Sequence, residues 1–454
     1  MRFSHLKRAA VAAVAGAVLV SLGLAGCSGG STASAGSATK GTVNWWSWTP
    51  DNDLAGREIA EFNKQYPDIK VNYKKVPIDN YAALLRPALA SNSGPDVFTV
   101  NASGSFSGQT FAAYAYDLTP DIKKLLGSDW KSKIAPTGVK AFTIKGRLVA
   151  AEWAKVGAGN MWINQELFTK YNVQVPKTYA EWKTACATFR ANGLGCFAEG
   201  LSGTSGFIVD TMHSILDSVK PGLWSDLLAG KAKWTDPAVV QAYQLLANMQ
   251  KDGILDEGGN GIMQYPDVNN SFLTGKVPMV QMGTWYQQYA ATNSLEAAVK
   301  GAGVDPATTP KVTIIPIDFP DVAGKGNPPT LFTDPDAGQA VNAKSKNRAA
   351  AVTFALWLGN TKEGQQVVAN NLDEFPTLNG VEVQFDKVTL VNPDAQSKPL
   401  AELTAKLKAA TEVRSYGISA ELSQALITAA QNVIGGKSAS DQVAAIQTAA
   451  TSGQ

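Results

Sequence analysis

Histidine and cysteine are scarce in this sequence, and their scarcity excludes several kinds of chemistry. The 454 residues include two histidines and three cysteines, and His213 is the only histidine beyond His5. A zinc or iron site built from these residue types is therefore not expected. A Ser-His-Asp or Cys-His catalytic arrangement would depend on His213, and no Gly-x-Ser-x-Gly motif surrounds a serine after residue 40. We expect a protein without a metal, a cofactor or an enzymatic activity.

The chain also lacks a large excess of charge of either sign. Its formal net charge is +2, and loss of the three cations Arg2, Lys7 and Arg8 would leave 2 − 3 = −1. A nucleic-acid partner is not expected, because phosphate binding needs a clustered basic surface. With 45% hydrophobic residues, the chain can bury a sizeable core.

Long apolar segments are absent except near the N-terminus. Three cations precede an apolar run over 9–20, which is short for a spanning helix, and Leu24-Ala25-Gly26-Cys27 follows. This pattern predicts a signal peptide over 1–26, with an uncleaved anchor as the alternative. Leu24 to Cys27 resembles the lipobox of bacterial lipoproteins, in which the cysteine becomes the lipidated first residue. Residues 28–38 contain only Ser, Gly, Ala and Thr, so 27–40 is predicted to be a lipidated Cys27 with a flexible tether.

The two other cysteines, Cys186 and Cys196, are ten residues apart. In an exported protein such a pair favours a disulfide, which would contribute roughly 2–3 kcal/mol by closing a short loop. A pair of metal ligands is the alternative, but the ligands that would complete such a site are missing.

Strands and amphipathic helices alternate from Gly41 onwards. Val43 to Trp46 is a predicted strand, Asp51 and Asp53 offer N-caps to a helix, and 71–73 and 97–100 are further strands separated by a second helix. The order β-α-β-α-β predicts a parallel sheet in an α/β lobe. The rest of the chain is more helical, with a return to strand character over 311–317.

Aromatic residues follow several of the predicted strands. Trp48 follows the first strand, Trp153 ends the run from Gly146, and Trp285-Tyr286 follows another apolar segment. Ligands of α/β proteins bind at the carboxyl ends of strands, and a flat ring beside a carboxylate or amide suits a sugar. Core packing is the alternative for each ring taken singly.

An ordered series of segments resembles family 1 of the bacterial extracellular solute-binding proteins, the sugar-binding components of ABC importers. The resemblance extends from about Thr42 to the C-terminus. It is carried by Trp46-Ser47-Trp48, residues 61–71, Ser93-Gly94-Pro95-Asp96-Val97, residues 162–168, residues 176–182, residues 271–285 and residues 342–351.

The resemblance implies a periplasmic-binding-protein-like type II fold, in which two α/β lobes are joined by a hinge of crossing strands. Lobe 1 would comprise 41–153 and 312–360, and lobe 2 would comprise 154–311 and 361–454. The expected crossings lie near 152–160, 309–314 and 359–364.

The resemblance also implies which residues contact the ligand. By position, Trp285 resembles the stacking aromatic of the second lobe, and Phe207 and Tyr416 occupy places where relatives often have another aromatic. The remaining candidates lie on the loops that line the first lobe and hinge or beside the residues already named: Trp48, Asn101, Glu152, Trp153, Tyr286 and Asp334. A turn would explain Asp334 equally well.

The expected function is the capture of a mono- or oligosaccharide between closing lobes and its delivery to the permease subunits of an ABC importer. The protein would be a monomer anchored by Cys27 to the outer face of the cell membrane. One alternative is a non-sugar solute such as a peptide, a polyamine or an oxyanion, for which Arg414 is the cation nearest the expected cleft. The other is a secreted glycoside hydrolase with two carboxylates.

Overall fold

The computed structural model describes residues 35–91, 93–203 and 206–452. The predicted signal peptide, Cys27 and most of the tether lie outside the described residues. Within those ranges, none of the helices combines the length and the apolar character that crossing a bilayer requires.

The described chain contains short strands and mostly longer helices. The strands are β1 (Gly41–Ser47), β2 (Ile69–Lys75), β3 (Val97–Asn101), β4 (Thr143–Ile144), β5 (Arg147–Leu148), β6 (Ala151–Ala158), β7 (Asn160–Asn164), β8 (Phe197–Ala198), β9 (Met279–Val280), β10 (Ile314–Asp318), β11 (Phe332–Val341) and β12 (Glu412–Val413). The helices are α1 (Asn52–Gln65), α2 (Ile78–Ala90), α3 (Gly108–Phe111), α4 (Thr119–Leu126), α5 (Pro136–Phe142), α6 (Gln165–Lys170), α7 (Tyr179–Ala191), α8 (Ile208–Val219), α9 (Leu223–Leu228), α10 (Pro237–Lys251), α11 (Asn269–Leu273), α12 (Thr292–Gly301), α13 (Arg348–Asn360), α14 (Lys362–Asn371), α15 (Pro393–Ala409), α16 (Ala420–Ile434) and α17 (Ala439–Ser452).

The first sheet has the strand order β12-β11-β3-β1-β2, with β6 paired to β11. Strands β2 and β3 both run parallel to β1, which confirms the predicted β-α-β-α-β arrangement. Strand β11 runs antiparallel to both β3 and β6. We call this sheet and the helices packed on it, including α1, α2, α13 and α14, lobe 1.

The second sheet has the order β10-β7-β9-β8. Its core is formed with α7, α8, α10, α16 and α17, and we call this unit, with α11, α12 and α15, lobe 2. The disulfide between Cys186 and Cys196 joins α7 to the start of β8, as the sequence predicts. The fold is therefore the two-sheet α/β arrangement expected from the sequence.

The chain passes between the sheets at short connections. Only Gly159 separates β6 in the first sheet from β7 in the second. Its φ is +99°, and an added Cβ would lie 2.3 Å from the carbonyl oxygen of Thr330, so glycine is required here. A second passage leads from β10 to β11.

Some elements depart from the predicted lobe boundaries. The first sheet includes β12, and α14 packs on lobe 1, although both lie in the range 361–454 predicted for lobe 2. Strand β10 belongs to the second sheet, although it lies in the range 312–360 predicted for lobe 1.

Helix α1 shows how the sequence forms these elements and where its details differ. The helix buries Leu54, Ala55 and Phe62 against lobe 1 and ends before Pro67. Asp51 occupies the N-cap position, as predicted, but its side chain makes no capping hydrogen bond. Its carboxylate instead pairs with Lys75 and accepts a hydrogen bond from the Tyr289 hydroxyl at 3.3 Å.

Candidate functional site

The carboxyl ends of β1, β2 and β3 lie at one edge of the lobe 1 sheet, because the three strands are parallel. The residues after β1 and β3 lie at this edge, together with the bulged part of β11 around Asp336. This is the edge at which α/β proteins bind ligands. Lobe 2 contacts the same region, since Gln288 of lobe 2 donates a hydrogen bond to Asp373.

Lobe 2 contributes an aromatic group formed by Trp285, Tyr265 and Phe207. The Trp285 indole donates a hydrogen bond to the Tyr265 hydroxyl at 3.0 Å, and the Phe207 ring centroid lies 5.9 Å from Trp285 and 5.6 Å from Tyr265. All three side chains keep part of their surface exposed. A Cβ added to Gly283 would lie 1.9 Å from the Trp285 ring, so this glycine makes room for the indole.

Arg414 lies over the Trp285 ring, with its guanidinium carbon 5.1 Å from the ring centroid. The guanidinium is fixed by two 2.8 Å hydrogen bonds to the carboxylate of Asp210. Burial lowers the pKa of Arg414, but the neighbouring carboxylates, Asp210 first among them, raise it above its ordinary value. Arg414 is therefore a fixed cation that covers one face of the indole.

Four carboxyl groups gather beside Arg414 and below the sheet edge. Asp334 accepts hydrogen bonds from the backbone of Arg414 and from the backbone and hydroxyl of Ser415 at 3.0, 2.7 and 2.9 Å. Burial raises the pKa of Asp334 to about 6. Asp336 accepts a hydrogen bond from the Asn101 amide at 3.0 Å and also interacts with the Glu374 carboxyl.

Asp373 and Glu374 complete this acidic group. Asp373 accepts hydrogen bonds from the Thr49 hydroxyl of lobe 1 at 2.9 Å and from the Gln288 amide of lobe 2 at 2.5 Å. Burial, followed by the charge of Asp51, raises the pKa of Asp373 to about 7. Glu374 is 5% exposed, and its Oε2 has no hydrogen-bond partner among the described residues. This oxygen is buried as well as unpaired, and burial raises the pKa of the Glu374 carboxyl well above its usual range.

The structure brings together most of the site residues expected from the sequence. Trp285 and Phe207 lie in one aromatic group, Asn101 binds Asp336, and Asp334 binds the backbone just before Tyr416. Tyr416 itself packs against the core of lobe 1, whereas the resemblance places an aromatic of the second lobe at this position. Trp48 follows β1 at the sheet edge, but it is only 9% exposed and packs against Tyr81 and Phe106.

Three expected site residues lie in the core instead, and we leave them out of the site. Glu152 is 2% exposed, and its carboxyl lies against Gly138 of α5. Trp153 packs edge-on against Trp45 within lobe 1. Tyr286 is fully buried and donates a hydrogen bond to Asn269 in lobe 2.

The site also contains residues that the sequence reasoning missed, namely Tyr265, Gln288, Asp373 and Glu374. Asp373 and Glu374 follow α14 directly after Leu372, whose positive φ of 59° ends the helix. The only sign of these two site residues in the sequence is that two acids follow each other directly after the end of a helix. His213, in contrast, is a core residue that stacks between Trp224 and Phe332 and lies 3.2 Å from Asp217.

Comparison with known proteins identifies a family and a fold. Residues 58–399 match the family model described as bacterial extracellular solute-binding protein. A curated relative, an uncharacterized ABC transporter extracellular-binding protein of Pyrococcus horikoshii, is 22% identical over 231 residues, or 50% of this chain. The chain spans about half the length of that relative, 52%.

Three solved structures illustrate the similarity in fold. A maltose-bound MalE3 of T. maritima has a TM-score of 0.70 at 18% identity, covering 91% of this chain and 100% of its own. A protein from work on xylan utilization by Caldanaerobius polysaccharolyticus has a TM-score of 0.69 at 22% identity, covering 90% and 99%. A chitin oligosaccharide binding protein has a TM-score of 0.68 at 19% identity, covering 91% and 98%. At these identities the similarity is evidence for the fold.

Proposed function

The chain belongs to the family of bacterial extracellular solute-binding proteins, and from this premise we propose that it is the substrate-binding component of an ABC importer for a carbohydrate. The ligand is a mono- or oligosaccharide held between the two lobes and delivered to membrane permease subunits. The names of the similar structures, which include maltose and chitin oligosaccharide as ligands, support this choice of ligand class.

The observation that carries the proposal is the pairing of exposed aromatic surface with hydrogen-bonding groups at one site. Trp285 offers a ring for the apolar face of a sugar, while Asp336, which keeps part of its surface exposed, offers oxygen atoms to its hydroxyl groups. Lobe closure would exclude water and strengthen each of these hydrogen bonds.

The charge arrangement argues against an anionic ligand. Arg414 is the cation at the site, and its guanidinium is already engaged by Asp210 and close to Asp334 and Asp336. An anion would have to displace Asp210 or approach several carboxyl groups. A neutral polyol requires neither.

Membership of the family places the protein outside the cytoplasm. We further propose that a lipid on Cys27 anchors the protein to the outer face of the cell membrane and that the protein is a monomer. The lipobox-like Leu24-Ala25-Gly26-Cys27 and the Ser/Gly-rich residues after it support the anchor.

The test is a thermal-shift screen with mono- and oligosaccharides, followed by titration calorimetry of the hits. A ligand that binds only the folded protein raises the melting temperature by mass action. We expect at least one saccharide to do so and to be recovered intact after incubation. Stabilisation by peptides or oxyanions alone, or recovery of cleaved sugar, would contradict the proposal.

A further inference from the structure

The last part of the predicted tether, residues 35–40, is held on lobe 1 along the start of α13 and is not a free linker. The backbone N–H of Ala349 donates a hydrogen bond to the carbonyl of Ala35 at 2.8 Å, and the Thr353 hydroxyl donates one to the carbonyl of Ala38 at 2.8 Å. Gly36 has a φ of +75° and lies so close that an added Cβ would be 3.1 Å from the carbonyl oxygen of Lys346. The tether therefore ends on lobe 1.

This attachment lies at the end of lobe 1 opposite the candidate site. Gly41 begins β1 at the tether, whereas Ser47 ends β1 at the sheet edge that carries the site. The strand has seven residues, so six steps of about 3.3 Å separate these two ends by roughly 20 Å. The tether is therefore bound at one end of lobe 1, and the candidate site lies at the other end, where the parallel strands have their carboxyl ends.

Cations outnumber acids around the attachment, where the exposed Asp68 also lies, its carbonyl accepting a hydrogen bond from the Gly41 N–H. We call Lys40, Lys344, Lys346 and Arg348 the basic end of lobe 1. The three lysines are exposed, and Arg348 is half-buried over the Tyr116 ring at 5.2 Å. Within the described ranges, none of the four forms an ion pair. Unpaired cations around one attachment point suit an anionic surface.

The length of the tether keeps this surface near the membrane. Eight residue-to-residue steps lead from Cys27 to Ala35, and even fully extended they span at most about 28 Å. If Cys27 carries the lipid anchor proposed above, the basic end of lobe 1 cannot move farther than this from the headgroups. Such confinement raises the effective concentration of headgroups at the basic end.

We infer that the basic end of lobe 1 rests on anionic phospholipid headgroups of the membrane that holds Cys27. This inference depends on the proposed lipid anchor but not on the identity of the solute. Lobe 1 is then the held lobe, lobe 2 is the one that moves during closure, and the candidate site stays clear of the headgroups.

The test uses the full-length lipoprotein reconstituted into vesicles of phosphatidylcholine, with or without 30% phosphatidylglycerol. Hydrogen exchange measured by mass spectrometry should slow at least twofold in peptides covering 36–41 and 343–350 when phosphatidylglycerol is present. The effect should vanish at high salt, because headgroup attraction is screened. Lys344→Gln/Lys346→Gln should abolish it, while the control Lys233→Gln/Lys437→Gln on lobe 2 should retain it.

The outcomes separate this inference from the proposed function. The mass of the N-terminal peptide shows whether Cys27 is lipidated. If Cys27 is lipidated and hydrogen exchange is equal in both kinds of vesicle, the inference is overturned while the proposed anchor stands. Protection that appears on lobe 2 instead also overturns the inference. An unmodified Cys27 overturns both the anchor and the inference. Calorimetry with the saccharide on the same preparation reports separately on solute binding.

Discussion

Trp285 has one face covered by Arg414 and its N–H engaged by Tyr265. Only the remaining surface of the indole is available for a ligand, which explains how one ring can select the orientation of a sugar. The bidentate bond from Arg414 to Asp210 fixes this arrangement before a ligand arrives. Such pre-organisation lowers the entropic cost of binding.

Trp285→Ala should therefore weaken saccharide binding by roughly 1–3 kcal/mol, because the ring contact is lost. Titration calorimetry measures the change. The matched control is Tyr171→Ala, which removes a partly exposed aromatic from lobe 2 next to Phe189, away from the site. Equal affinities of Trp285→Ala and the parent protein would remove Trp285 from the binding site.

Glu152 makes stability depend on pH. Burial raises the pKa of its carboxyl from 4.5 to about 8, and neither oxygen has a partner among the described residues. Between these two values the folded protein retains a proton that the unfolded chain releases. The free energy of unfolding should therefore decrease as the pH rises from about 4.5 to 8.

Glu152→Gln should make this decrease smaller, because the amide does not titrate. The difference between variant and parent should change by up to about 4 kcal/mol between pH 4.5 and pH 9, as measured by urea unfolding. Burial also raises the pKa of Glu199 to about 8, so Glu199 still contributes to the pH dependence of stability in the variant. The exposed control Glu402→Gln should follow the parent at all pH values, and a Glu152→Gln profile parallel to the parent would contradict the argument.

At the scale of residues, the sequence predicts which types of side chain bind a sugar. It predicts less well which of those side chains are exposed. Glu152 and Trp153 are adjacent in β6, so their side chains point to opposite faces of the strand. Gly138 of α5 covers one face, and Trp45 covers the other. Because the covering elements come from distant parts of the chain, the sequence near β6 does not reveal that both faces are buried.

At the scale of elements, the disulfide fixes the middle of α7 to the residue that precedes β8. Cys186 and Cys196 are almost completely buried, and the bond closes a loop of about ten residues. Cys186→Ser/Cys196→Ser should lower the free energy of unfolding by roughly 2–3 kcal/mol by releasing this constraint on the unfolded chain. Urea unfolding of the variant and the parent protein measures this change in free energy. Reductant should destabilise the parent protein by a similar amount and leave the double variant unchanged, and a double variant as stable as the parent would contradict this.

The elements differ in how well the sequence predicts them. The first three strands follow from the alternation of apolar runs and helical faces, which is a local pattern. Strand β11 does not, because Asp334-Pro335-Asp336 is typical of a turn. This segment is extended because it pairs with β6 and β3, and a register shift between Pro335 and Ala337 accommodates the proline. Pairing with strands distant in sequence thus overrides the local preference.

At the scale of the molecule, the described lobes meet through polar contacts near the site. Tyr289 of lobe 2 donates a hydrogen bond to Asp51 of lobe 1, and Asp373 binds Thr49 and Gln288 from the two lobes. Arg57 of α1 donates a hydrogen bond to Ser294 of α12 at 2.9 Å. Polar contacts of this kind exchange readily with water, which suits an interface that must open and close.

Removal of the contact between α1 and α12 should shift the lobes toward separation. Arg57→Ala removes the hydrogen bond to Ser294, and since the arginine is about one-third exposed (35%), we expect a loss of only about 1 kcal/mol. If the ligand binds the closed form, the apparent saccharide affinity should fall by up to about fivefold, in proportion to the population of that form.

Small-angle scattering tests whether this loss of affinity comes from opening. The ligand-free Arg57→Ala protein should have a larger radius of gyration than the parent, and saturating saccharide should bring both to the same value, because the ligand stabilises closure in either chain. The control Lys64→Ala, on the same helix and paired with Glu61, should match the parent in affinity and in size. A weaker affinity of Arg57→Ala without a change in radius would show that Arg57 acts on the site itself and not through the lobes.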